Sequence, residues 1–412
     1  MAGGRLQSMK GVKITGLGTS LPQRVLDNHE LARNLKDRGE RIRSEHQRKI
    51  LAWTDAVSRL DGEARELAQE QLARSEIVLR LHKKNSAQFE TSDDWILKRT
   101  GIQRRRIAAE DENVSDLAAE ASRKALGMAG LTAQDVDFIA LGTVSSENWT
   151  SPPTASRIQD KLGIRIHREE GLKQVMVFDL EAACSTFPSV LCLGYSLVSS
   201  GVAGCGLVIG ADIMSRTVDW DSRNTCILFG DAACCLVLET CPPEESSFLG
   251  SQGFFFGADG SHADKIVVPA GGTAEDVTAE TLWNPFGKRN KVYMDGRSVY
   301  EDIVPLVSNR VIPETVAKAG LCAGDIDFIV LHQANMKMNQ AIERRLKKAG
   351  YQSIIYHDIA DYANTTSATQ GLALHDAHRE GVLKPGMLVL DCAFGGGYTW
   401  GSALFRWPDL PR

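Results

Sequence analysis

Eleven residues recur in this chain and constrain its fold more than any other feature. Leu131-Thr132-Ala133-Gln134-Asp135-Val136-Asp137-Phe138-Ile139-Ala140-Leu141 returns 190 positions later as Leu321-Cys322-Ala323-Gly324-Asp325-Ile326-Asp327-Phe328-Ile329-Val330-Leu331. Each copy follows an Ala-Gly pair that ends a predicted helix (Ala129-Gly130, Ala319-Gly320). Beyond each copy a glycine, Gly201 or Gly381, precedes an apolar run, Leu207 to Gly210 or Met387 to Leu390. A period this long excludes a solenoid and points to two duplicated α/β halves, residues 1–250 and 251–412, the second with about ten residues less in its connection. Strands alternating with helices imply parallel sheets covered on both faces.

Duplication has a chemical consequence. Seventeen residues before each glycine stand Cys184 and Asn364. If the halves pack about a pseudo-twofold axis, equivalent corners face one crevice, where strand C-termini in α/β folds receive ligands. His332, directly after the second copy's strand, ends at the same rim.

Around Cys184 the local pattern is specific. Val175 to Leu180 reads as a buried strand, and Ser185 to Ser199 as a helix with no charged face. Cys184 then lies at the strand-to-helix corner, beside unpaired N–H groups and a positive dipole end, which favours the thiolate by lowering the thiol's pKa. The alternative is a buried structural cysteine. A thiolate can attack an acyl thioester and keep the acyl group as a new thioester. His332 and Asn364 can both donate hydrogen bonds to a developing enolate oxygen. Gly395-Gly396-Gly397, after another apolar strand, allows close backbone approach, and an N–H there together with that of Cys184 would make an oxyanion hole.

The rest of the chain excludes several functions. A net charge of −5, without a Lys/Arg block interleaved with aromatics, argues against a nucleic-acid binder. Nine cysteines, seven of them from Cys184 to Cys241, form no C-x-x-C pair and no Cys/His spacing for a metal, and suggest a reducing, cytoplasmic setting. Met1 to Lys10 has no apolar run and no secretory signal is expected. Thirty residues, Ala182 to Ala211, carry no charge, but Pro188 and three glycines divide them, so a buried helix, a turn and a strand are expected rather than a membrane span. Val12 to Leu17 is a first strand followed by a loop from Gly18, and Asn28 can cap a helix beginning near His29. Residues 36–85, with 12 Lys/Arg, 9 Asp/Glu and apolar residues at helical spacing on either side of Asp61-Gly62, predict an inserted helical hairpin packed on the surface. Arg104-Arg105-Arg106 reads as a solvated face.

At this point a resemblance enters. Ala183-Cys184-Ser185, His332-Gln333-Ala334-Asn335, Ala363-Asn364-Thr365-Thr366-Ser367 and Ala393 to Ala403 resemble β-ketoacyl-acyl-carrier-protein synthase III, as do Asp94-Trp95-Ile96 with Arg99-Thr100-Gly101-Ile102, and Phe229-Gly230-Asp231-Ala232-Ala233. The resemblance covers most of the chain apart from the 36–85 insertion. It implies a thiolase-like five-layer αβαβα fold, a homodimer, and decarboxylative Claisen condensation between an acyl-CoA primer and a malonyl thioester on acyl carrier protein. Coenzyme A thioesters are then substrates and no cofactor is implied. Cys184 would carry the primer, His332 and Asn364 would assist decarboxylation, and the N–H groups of Cys184 and Gly396 would hold the thioester oxygen. Trp95 and Arg223 resemble the pair that sandwiches the coenzyme's adenine. Arg99 and Lys337 match phosphate contacts, and Arg344 and Arg345 match residues that dock the carrier protein or, alternatively, form a solvated face.

Three departures mark a specialised relative. Ser151 stands where short-chain enzymes have a bulky aromatic, which would open the acyl tunnel to medium or long primers. Arg297 replaces an asparagine, and the insertion is additional. Two other readings stand beside the condensing one: transfer of the cysteine-bound acyl group to an alcohol or amine, and a non-catalytic partner subunit. Retention of Cys184, His332 and Asn364 argues against the latter.

Overall fold

The computed structural model describes residues 9–168, 171–283 and 288–412; the expectation for Met1 to Ser8 lies outside them. The first half supplies β1 (Gly11–Ser20), β2 (Phe138–Gly142), β3 (Met176–Leu180), β4 (Cys205–Ile213) and β5 (Asp231–Cys241), in the order β1-β5-β4-β2-β3. The second supplies β6 (Phe254–Ala258), β7 (Phe328–Leu331), β8 (Ile354–Tyr356), β9 (Leu388–Gly395) and β10 (Thr399–Arg406), in the order β6-β10-β9-β7-β8. Taken strand for strand, the two orders are the same. In each sheet the central strand of the repeated motif, β2 or β7, is parallel to both neighbours, and the other pairs are antiparallel.

The helices used below are α1 (Asn28–Arg59), α2 (Gly62–Lys84), α3 (Asp93–Thr100), α4 (Val114–Ala129), α5 (Thr186–Ser199), α6 (Ile312–Lys318), α7 (Met336–Lys348) and α8 (Thr369–Arg379). Strand alternation sorts side chains into layers. Phe138 and Ala140 face an inner core shared by both sheets, α5 and α8, while Ile139 and Leu141 face an outer core under α4. In the repeat, Phe328 and Val330 face the same inner core, and Ile329 and Leu331 face an outer core under α6 and α7. The five layers are therefore helices, sheet, α5 with α8, sheet, helices. Helix α5 lies between two sheets, which explains a helix without charge.

Five expectations change. Strand β1 continues through Gly18 to Ser20, because Gly16 and Gly18 serve close packing rather than a turn: a Cβ on Gly18 would fall 2.2 Å from the Ala121 carbonyl oxygen of α4. Strand β3 is not buried. It is the sheet's edge, pairing with β2, and Met176 is 45% exposed. The insertion is not a separate hairpin from residue 36, since α1 runs unbroken from Asn28, and the cap is not Asn28, which is already helical, but Asp27, which accepts from the Glu30 N–H. Gly39 sits inside it because the Phe89 ring approaches to 2.7 Å of where a Cβ would stand. The base of α1 packs through Leu31 and Leu35, whereas the far part of the arm is open, with Leu51 73% exposed. Finally, Arg105 is fully buried, not solvated. It lies on a short strand, Arg104–Ile107, whose alternation points Arg104 to Asp361 outside and Arg105 inward to Asn28 Oδ1 (2.8 Å) and the Ile227 carbonyl (2.8 Å).

Candidate active site

Cys184 is the middle residue of a 3-10 turn, Ala183–Ser185, between β3 and α5. The corner is pinned on several sides. Ser185 Oγ donates to the Ala182 carbonyl (2.7 Å) and lies 2.8 Å from Thr399 Oγ1, and the Ala182 N–H donates to Thr186 Oγ1 (2.8 Å). Ala183 holds φ 48°, and Ala363, the residue before Asn364, holds φ 61°. Both candidate groups thus follow an alanine in a backbone region that L-residues avoid, a form of strain that concentrates at functional sites.

Strand β9 joins the nucleophile to the imidazole. His332 follows β7, its N–H donates to the Cys392 carbonyl (2.9 Å), and its ring meets Phe394 edge-on at 5.4 Å. The next residue, Gly395, lies against Cys184, where a Cβ would fall 2.4 Å from the cysteine nitrogen. Gly396 stands beside Ala183, 3.3 Å from Cβ to Cβ if it had one. Asn364 arrives from the other side. Its N–H donates to the Leu228 carbonyl (2.8 Å) and its carbonyl accepts from Gly230 (3.0 Å), so it is stitched to the first half. Its Oδ1 accepts from the Thr366 N–H (2.8 Å), which leaves the NH2 as the donating end. The following turn, Thr366–Ala368, packs on the turn that carries Cys184.

Electrostatics depart from expectation. Burial pushes the Cys184 thiol up to about 12, with Asp212 and then Glu181 adding to the rise. The predicted lowering fails because desolvation and two carboxylates outweigh the helix end, although Cys184 as a residue is only half-buried. Burial holds His332 down to about 3. Thiol and imidazole are both neutral at rest. His332 Nδ1 lies 2.7 Å from Thr369 Oγ1, so Nε2 is the nitrogen left for chemistry.

Further out, α3 carries a basic-aromatic cluster. Ser92 caps the helix by accepting from the Trp95 N–H. Arg99 lies 4.2 Å and Arg223 4.5 Å from the centroid of Trp95. Lys337 is in the first turn of α7, whose cap Asn335 donates to the Arg99 carbonyl (3.2 Å). The cluster is therefore five residues along the chain from His332.

Comparison with known proteins places this arrangement. The family model described as 3-oxoacyl-[acyl-carrier-protein] synthase III matches residues 178–260, and its C-terminal model matches residues 316–407. The β-ketoacyl-[acyl-carrier-protein] synthase III of Erythrobacter litoralis is 39% identical over 324 residues, 78% of this chain and 93% of that protein. The chain belongs to the β-ketoacyl-[acyl-carrier-protein] synthase III family. Solved synthase III structures from Pseudomonas aeruginosa (TM-score 0.73, 29% identity, covering 98% of this chain and all of that one) and Aquifex aeolicus (0.69, 30%, 96% and all) share its thiolase-like fold. The protein is accordingly an acyltransferase, a condensing enzyme whose Claisen chemistry is primed on a cysteine.

The other predicted positions of this synthase lie on elements other than the Cys184 turn. Ser151 is exposed, on the segment between β2 and the helix Thr154–Lys161, whose first two N–H groups are held by Asp179 of β3. Arg344 and Arg345 are exposed on α7 beside a groove of about 450 Å³ shared with Tyr300 and Pro305, and neither is in an ion pair among the described residues. Arg297 points to solvent and pairs with Glu301. Among the described residues, no helix is long and apolar enough to cross a membrane, and no group of acidic, His and Cys side chains is arranged to hold a metal.

One residue escaped the sequence reading. Asp212 is fully buried and accepts from Thr143, the N–H of Val144 and Ser145 with one oxygen, and from Thr366 and Ser367 with the other. It fastens the Asn364 loop to the first half. The signal was present: Asp212 is the charge that ends the thirty uncharged residues from Ala182 to Ala211.

Proposed function

We propose that this synthase loads an acyl group from coenzyme A onto Cys184 and condenses it with malonyl-acyl carrier protein. The thiol attacks the acyl thioester, its proton passes to the departing coenzyme A sulfur, and the acyl group remains on Sγ. The N–H groups of Cys184 and Gly396 hold the thioester oxygen during both acyl transfers. Malonyl thioester then loses carbon dioxide, His332 and the Asn364 NH2 donate to the enolate oxygen, and the enolate carbon attacks the acyl-cysteine. The products are a β-ketoacyl thioester and a free Cys184. No resident cofactor takes part.

The observation that carries this reading is the pairing of Phe394 with His332 and of Gly395 with Cys184 on consecutive residues of one strand. Trp95 and Arg223, whose guanidinium now lies 4.5 Å from the indole centroid, would part to take the adenine between them, with Arg99 and Lys337 near its phosphates. Arg344 and Arg345, exposed and unpaired, would meet the acidic carrier protein. The half-exposed edge strand β3, with its unpaired row of backbone groups, would pair with its copy in a homodimer. The setting would be cytoplasmic.

Intact-protein mass spectrometry with an acyl-CoA panel tests it. Wild type should gain one acyl group, and Cys184→Ser should gain none. His332→Ala and Asn364→Ala should keep acylation while losing malonyl decarboxylation. Undiminished acylation of Cys184→Ser would remove the nucleophile, and equal loss of both steps in the other two would contradict the division of roles.

A further inference from the structure

Behind His332 runs a buried series of polar side chains that the steps above do not use. Thr369 Oγ1 lies 2.7 Å from His332 Nδ1, 2.9 Å from Gln370 Oε1 and 3.0 Å from the Thr366 carbonyl. Gln370 is fully buried, and its Nε2 has no hydrogen-bond partner among the described residues. Next to it on β9 stands Asp391, also fully buried, with neither carboxyl oxygen in a well-formed hydrogen bond. Burial drives this carboxyl far above the usual carboxylate range, and the adjacent Gln370 amide is what opposes that rise. The flanking strands present Val330 and Ala403 in register with it, and the titratable side chains that feel it are Cys234 and Cys392, both buried. No cation pairs with it among the described residues. A carboxyl in such a place is neutral, because an unpaired buried charge costs far more than holding the proton.

Counting hydrogens gives two arrangements. With Gln370 Oε1 toward Thr369, the hydroxyl faces two carbonyl oxygens and gives its hydrogen to one of them. It must then accept from His332 Nδ1–H, so Nε2 is bare and can accept a proton but not donate one. A half-turn of the Gln370 amide exchanges its ends. Protonated Asp391 then donates to Gln370 Oε1, the orphaned Nε2–H donates to Thr369 Oγ1, and the hydroxyl hydrogen is free for its shorter contact, His332 Nδ1. Nε2 now carries the proton and faces the substrate as a donor. The second arrangement gives each buried side chain of the series a partner; the first leaves Asp391 and Gln370 Nε2 unmet.

We propose that Asp391, acting through Gln370 and Thr369, sets which ring nitrogen of His332 bears the proton. Asp391 and Gln370 are positioning residues: as an acid, Asp391 holds His332 as the Nε2–H donor that enolate stabilisation needs. The inference rests on the reading of His332 as that donor, and deepens it.

The test is the 15N spectrum of histidine-labelled full-length protein, in which protonated and bare ring nitrogens of a neutral imidazole resonate far apart. The His332 signals among the nine histidines are identified by their loss in His332→Gln. Wild type should show the Nε2–H form. Asp391→Leu and Gln370→Leu should move His332 toward Nδ1–H and slow malonyl decarboxylation about tenfold, with acyl transfer to Cys184 spared. Asp391→Asn, whose NH2 can still donate to Gln370, should restore both the spectrum and the rate. If Asp391→Leu fails to fold, Gln370→Leu gives the same readout. A wild-type Nδ1–H form, or a folded Leu variant with an unchanged His332 spectrum, would overturn the proposal. Failure of the condensing reading looks different: no malonyl decarboxylation by wild type, whatever the spectrum.

Discussion

Gly395 and Cys184 touch through their backbones: a methyl group on Gly395 would lie 2.4 Å from the cysteine nitrogen and 3.1 Å from its Cα. Neither atom belongs to a flexible side-chain end, so the contact cannot yield without moving the turn that aims the thiol. Gly395→Ala should therefore cost about 1–3 kcal/mol of stability and at least about tenfold in Cys184 acylation. Thermal unfolding and the rate of acyl-enzyme formation check both. Full acylation at unchanged Tm would mean that the strand is not what fixes the nucleophile.

The thiol's protonation gives the second prediction. A folded pKa raised to about 12, against an ordinary thiol value near 9, leaves the neutral form favoured at working pH. The sign for stability follows: the unfolded thiol ionises first, so stability contributed by the protonated, buried thiol is present below pH 9 and is lost as pH rises through 9 toward 12. Alkylation of the free enzyme by iodoacetamide, read at Cys184 by peptide mass spectrometry, should rise about tenfold per pH unit from 7 to 9 with no plateau. A plateau near neutral pH would show a resting thiolate.

Asp212 supplies a third. Its two oxygens receive hydrogen bonds from both halves of the chain, and truncation leaves those buried donors without acceptors. Asp212→Ala should lose about 3 kcal/mol or more in urea unfolding, and decarboxylation should fall further than acylation because the Asn364 loop is released. Equal effects on the two steps would separate Asp212 from the placement of Asn364.

What the sequence revealed and what it hid divide along physical lines. The repeat ending in Leu141 and Leu331 announced two equal sheets because strand alternation writes the inner and outer cores into adjacent residues, Phe138 and Ile139 or Phe328 and Ile329. The grouping of Cys184, Asn364 and His332 followed from that symmetry, since equivalent corners must converge. Long-range burial was not legible. Gly18 read as the start of a loop, yet it marks a helix pressed against the backbone from about a hundred residues along the chain. Arg105 and the Cys184 thiol were misjudged for one reason: local pattern reports nearby charge and helix ends, while desolvation depends on neighbours tens to hundreds of residues away. The edge position of β3 is likewise set by strand order, which its own five residues do not encode.

The exposed Ser151 yields the last prediction. It lies just before the helix Thr154–Lys161, whose first N–H groups bind Asp179 of the β3 edge, and in the homodimer proposed above it would face the other protomer's acyl group. A serine there leaves room that an aromatic ring would fill, and each methylene buried in that room is worth about 0.8 kcal/mol. Acylation should therefore be faster with medium-chain than with acetyl thioesters, and Ser151→Phe should reverse the order. Mixed dimers locate the effect. When a Ser151→Phe chain is paired with a Cys184→Ser chain, the surviving thiol faces the other protomer's Ser151 and should keep the medium-chain preference. Acetyl preference in the wild type would end the idea, and acetyl preference in the mixed dimer alone would place the side chain in its own protomer's tunnel.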